Sequence, residues 1–166
     1  MEYEKLNALF NVLNEETRIY EEILKLSREK KDIVIEGKVA ELEKITKIEQ
    51  SLVVNLGKLE TLREKCVEEI ADQLNIKPSE LTITELSKHL NEENSKKLIE
   101  CKTKLENILK ELKEINQLNS KLIKNSLDYI DFSLNILSAA SETNNNYNND
   151  GEVSGGSKRT FMDIKL

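Results

Sequence analysis

One proline and five glycines in 166 residues leave this chain few places to turn. Glycine and proline are the strongest helix breakers. Where they are so scarce and 34% of the residues are charged, the chain reads as long amphipathic helices. A β-sandwich or a doubly wound α/β fold needs many more glycine turns and β-rich runs, and the sequence has neither. The length fits one compact domain.

Apolar spacing places the helices. Leu6, Leu9, Phe10, Leu13, Tyr20, Ile23, Leu24, Ser27, Val34 and Ile35 recur three or four apart and predict a first helix over about 2–35. Gly37 then marks a break. A second helix is predicted over about 39–74. Its seam of Leu42, Ile45, Glu49, Leu52, Leu56, Leu59, Arg63, Cys66 and Ile70 alternates three and four apart, as a heptad does. Glu49 and Arg63 interrupt it, and a polar group on a seam costs stability while fixing register. Pro78 sits in a turn. Thr82 and Glu85 read as a capping box opening a short helix over 83–90. Asn91 to Asn94 is a second punctuation, and a last helix is predicted over about 95–140. Its stripe runs from Leu98 and Cys101 through Leu112, Ile115 and Asn119 to Ile136 and Leu137, and widens after Leu122.

Beyond residue 141 the character changes. Asparagine, glycine and serine dominate, periodicity is lost, and residues 142–166 are expected to be a flexible tail. It closes on Lys158-Arg159-Thr160-Phe161-Met162-Asp163-Ile164-Lys165-Leu166, which contains apolar residues that an ordinary linker lacks. The expected fold is all-α: an elongated antiparallel helical bundle of three long helices plus one short helix (1–141), with a disordered C-terminal tail (142–166).

Chemistry is sparse. The formal net charge of −6 argues against a phosphate-binding surface, so neither nucleic acid nor an anionic membrane is an expected partner. No apolar run approaches the roughly 20 residues of a membrane span, so no membrane insertion is expected. The acidic, amphipathic N-terminus is not a secretory signal. Cys66 and Cys101 lack metal-like spacing and read as reduced thiols of a cytoplasmic protein. His89 is the only histidine and lies on a short polar helix, more suited to solvent than to general-base work. A di-metal carboxylate bundle needs Glu-x-x-His on two helices, which one histidine cannot supply. There is no glycine-rich phosphate loop. The doublets Lys30-Lys31 and Lys96-Lys97 are flanked by acids and read as solvated helix faces. No enzyme, no metal and no cofactor is expected.

Two surfaces remain. The double seam of Ile123, Leu127, Ile130, Leu134 and Leu137 beside Leu122, Ser126, Tyr129, Ser133 and Ile136 either packs on two helices of the bundle or offers a face to a partner helix. Tyr147, alone among asparagines, is either incidental or an anchor that orders on binding.

Four features recur in order along the chain. A helix-break-helix run covers Glu29 to Gly37 and is followed by Leu42, Ile45 and Glu49-Gln50. Leu59-Glu60-x-x-Arg63-Glu64 lies late in helix two. Leu112-x-x-x-Asn116-x-x-Asn119-x-x-Leu122 lies in the last helix. Tyr147-x-x-x-Gly151 opens the tail. Together they resemble the FlgN family of flagellar type III export chaperones. The short segment between Pro78 and Leu90 departs from shorter relatives.

That resemblance implies a cytoplasmic chaperone of hook-associated, hook–filament junction subunits (FlgK-like and FlgL-like), delivering them to the flagellar export gate. It implies cargo binding by Ile123, Leu127, Ile130, Leu134 and Leu137. It implies docking to the gate component FlhA through Tyr147 and Gly151, and a structural role for Asn116, Asn119, Glu49 and Arg63. The rival reading is a purely structural, self-associating coiled coil without cargo.

Overall fold

The computed structural model describes residues 3–145, and side chains over residues 4–139. Four α-helices and a short 3-10 turn make up these residues: α1 (Tyr3–Ile35), α2 (Val39–Leu74), the 3-10 turn Pro78–Glu80, α3 (Ile83–Lys88) and α4 (Glu92–Asn145). No strand occurs among the described residues, as the scarcity of breakers predicts. Contacts divide the chain into two compact units, Met1–Leu127 and Asp128–Leu166.

The turns follow from local chemistry. Gly37 adopts φ +68°, a conformation that costs glycine little because it has no Cβ. It lets the Gly37 amide bond the Val34 carbonyl and the Lys38 amide bond the Ile33 carbonyl, closing α1 in a Schellman motif. Asn75, at φ 53°, closes α2 in the same way, with the Ile76 amide donating to the Ala71 carbonyl at 3.0 Å. Asparagine is the residue other than glycine that most readily visits this region.

Three helix boundaries differ from expectation: α3 ends at Lys88 and not at residue 90, and both ends of α4 move. Asn91 caps α4 by accepting the Asn94 amide on Oδ1 at 2.9 Å, so the helix starts at Glu92 and not at Ser95. At the other end α4 runs to Asn145, because each residue added to an existing helix gains a bond without paying nucleation again. Residues 142–145, expected in the tail, are therefore helical. The tail from residue 146 lies outside the described residues. At Thr82 only half the capping box forms: the Glu85 amide donates to Thr82 Oγ1 at 3.1 Å, while the Glu85 carboxylate turns to Lys88 at 2.6 Å.

Within the first unit, cross-helix pairs fix the directions. Lys5–Glu69, Glu16–Arg63 and Ser27–Glu49 pair rising numbers on α1 with falling numbers on α2, so these helices are antiparallel. Asn14–Cys101, Glu21–Lys104 and Ser27–Asn119 rise together, so α4 runs parallel to α1. The up-down-up order of α1, α2 and α4 is the expected antiparallel bundle of three long helices.

One end of this unit is sealed by a core of Leu9, Leu13, Ile70, Leu86 and Leu98. Leu86 comes from α3. The short segment between the long helices is therefore a lid on the bundle end, with Leu81 and Ile83 packed beside it. Every residue of the predicted α2 seam is buried or half-buried. On α1, Ile35 departs from expectation: the last residue of the helix, it is 64% exposed.

Candidate functional site

Two polar layers interrupt the core of the first unit. In one, Glu16 of α1 is 4% exposed and meets Arg63 of α2, whose Nε donates to Glu16 Oε1 at 3.3 Å. Burial pushes the Glu16 carboxyl above its ordinary value of 4.5, and the Arg63 charge only partly offsets that. Arg63 also reaches Glu60 on its own helix. In the other layer, Asn119 Nδ2 donates to the Ser27 carbonyl at 2.7 Å, and the Ser27 hydroxyl donates to Glu49 Oε1 at 3.4 Å. Lys30 pairs with the other oxygen of Glu49, and both side chains are largely withdrawn from solvent.

The structure thus brings Glu49 and Asn119 together around Ser27. Asn116 is exposed and lines the same cleft, while Arg63 belongs to the separate Glu16 layer. Sequence reasoning did not single out Glu16, and it singled out Lys30 only as half of a solvated doublet. Lys30, expected on a solvated face, is an inward partner. The doublet Lys30-Lys31 could not reveal this, because neighbouring residues on a helix point about 100° apart. The available signal was the seam acid Glu49, which needs a cation opposite it.

α4 changes character along its length. Leu98 and Ile108 are buried, Leu105, Leu112, Ile115, Leu122 and Ile123 half-buried. From Leu127 onwards its large apolar side chains face solvent: Leu127 is 56% exposed, Ile130 51%, Leu134 56% and Leu137 66%. Ile123 and Leu127 belong to the first unit, Ile130, Leu134 and Leu137 to the second. Tyr129, Phe132 and Ile136 are exposed as well. Of the seam, Leu127 is exposed within the first unit, and Ile130, Leu134 and Leu137 are exposed within the second. Phe132 was not part of either seam. Its position on the polar side of the helical stripe hid it. Tyr147 and Gly151 lie outside the described residues.

The other candidates are placed without chemistry. His89 is exposed at the end of α3, with Nε2 3.7 Å from a Glu85 oxygen. Cys66 and Cys101 are unbridged and half-buried, and burial raises both thiols. Among the described residues no three acids, cysteines or histidines converge on a metal-sized site. No described helix is long and apolar enough to cross a membrane.

A family model described as "FlgN protein" matches residues 1–155. No curated protein and no solved structure matches the chain.

Proposed function

The chain belongs to the FlgN family of flagellar export chaperones, and on that premise we propose that it binds FlgK-like and FlgL-like hook-associated subunits in the cytoplasm and hands them to the export gate. The family implies binding of hook-associated subunits in general. The observation that carries the finer reading is the apolar, exposed stretch of α4. A water-soluble chain gains nothing by displaying Leu127, Ile130, Leu134 and Leu137 unless something covers them. An amphipathic helix of a cargo subunit fits such a face through residues three and four apart.

Ile123, Leu127, Ile130, Leu134 and Leu137 are assigned to cargo. Tyr147 and Gly151 are assigned to FlhA, with the tyrosine ring entering an apolar pocket while its hydroxyl stays hydrogen-bonded. Glu49, Arg63, Asn116 and Asn119 are assigned to holding the helices in register. None of these roles involves catalysis.

A pull-down from a flagellated host lysate tests the reading, comparing the full chain with one truncated after Ser141 and with Tyr147→Ala. Both shortened and full chains should recover a hook-associated subunit. Only the full chain with Tyr147 intact should recover the gate component. Recovery of neither, with the protein eluting as a stable self-assembled oligomer, would establish the structural coiled-coil reading instead.

A further inference from the structure

The exposed face of α4 beyond Asp128 and the apolar close of the chain belong to the same unit. Within that unit Tyr129, Ile130, Phe132, Leu134, Ile136 and Leu137 are each more than half exposed. Residues 158–166 hold Phe161, Met162, Ile164 and Leu166, in a stretch otherwise too polar to need them. We propose that residues 158–166 dock back onto the chain's own α4 face between Tyr129 and Leu137 and cover it.

Charge supports this occupant. Between residues 125 and 145 the charged side chains are Asp128, Asp131 and Glu142, with no lysine or arginine among them. The segment 158–166 carries Lys158, Arg159 and Lys165 against the single acid Asp163. Asp131 flanks the Ile130–Leu134 side of the face at helical spacing, within reach of a basic residue laid along it. An acidic face and a basic, apolar segment are complementary, whereas two copies of the acidic face would repel each other.

Length supports it too. Twelve residues, 146–157, separate the end of α4 from Lys158. Fully extended they reach about 40 Å. A flexible chain of twelve residues has a root-mean-square span of about 17–21 Å. Measured back along the helix from Asn145, Leu137 is about 12 Å away and Ile130 about 22 Å. The linker therefore returns the segment to this face without strain, at an effective concentration of about millimolar. The inference rests on the exposure of α4 and not on what α4 binds in flagellar assembly.

Binding of an environment-sensitive apolar dye tests it, at micromolar protein, on three chains: the full chain, the chain truncated after Ser157, and the full-length double variant Lys158→Glu with Arg159→Glu. Sedimentation velocity is run on the same samples. Removing the cover should raise dye emission roughly threefold or more in the truncated chain, as the closed population is lost. The charge-reversed chain should rise in the same direction, with all three monomeric and equally helical by circular dichroism. Equal dye binding by the full and truncated chains overturns the proposal. So does dye exclusion that fades on dilution as a dimer dissociates, because the cover would then be a second copy. If truncation lowers helicity, the charge-reversed full chain decides alone: unchanged emission there overturns the proposal.

Discussion

Glu16 shows how a single side chain sets the chemistry of a layer. Its carboxyl is raised chiefly because burial penalises the charge, and Arg63 recovers only part of that. A carboxyl raised in the folded state stabilises the fold below its ordinary value of 4.5, and that contribution fades as pH rises through the folded value. Glu16→Gln should therefore flatten the stability profile above about pH 4.5 and leave the protein at least as stable at pH 7, read by urea unfolding across pH. Asn119 is a second case. Its Nδ2 is satisfied by Ser27, but its buried Oδ1 has no partner in the structure. Asn119→Leu should be close to neutral, while Asn119→Asp, which buries a charge in the cleft that holds Glu49, should cost about 3 kcal/mol. Thermal unfolding of the two variants side by side checks both signs. Glu49 and Arg63 were legible as seam interruptions from spacing alone. Their partners Lys30 and Glu16 were not, because pairing across helices depends on register that one helix does not encode.

Elements were the most legible scale. The α2 seam reads directly from heptad spacing, since burial on a helix follows a period near 3.6. Gly37 was legible as a break, and the structure supplies its reason in the positive φ. A Cβ at Gly37 meets nothing within 4 Å, so Gly37→Ala should cost about 1 kcal/mol from backbone strain alone, measured by denaturant midpoint at unchanged slope. α4 was half legible. One apolar stripe runs its whole length, and the stripe alone does not separate the part that is covered from the part that is not. Exposure of Leu127 and Leu134 gives a sharp expectation for Leu127→Asp with Leu134→Asp. Helicity should persist and stability should move by no more than about 0.5 kcal/mol, because both side chains already face solvent. Loss of the circular dichroism signal would show instead that this stretch is core.

Across the whole first unit, stability concentrates at the end sealed by α3. Leu98 is fully buried among Leu9, Leu13, Ile70 and Leu86, so Leu98→Ala should cost about 2–5 kcal/mol, read by chemical unfolding. Surface ion pairs such as Lys47–Glu43 and Lys97–Glu93 span single helices in solvent and should contribute little beside it. The sequence by itself determined that the chain is helical, where the long helices break, and which side of α2 turns inward. Those properties are local: propensity, capping and periodicity act within a few residues of each position. Only the tertiary structure decided that the segment from Pro78 to Leu90 is a lid, that Lys30 and Glu16 are inward partners, and that α4 displays Leu127 to Leu137 to solvent. Each depends on what another helix places opposite a side chain, and an apolar residue has the same spacing whether or not a neighbour arrives to cover it.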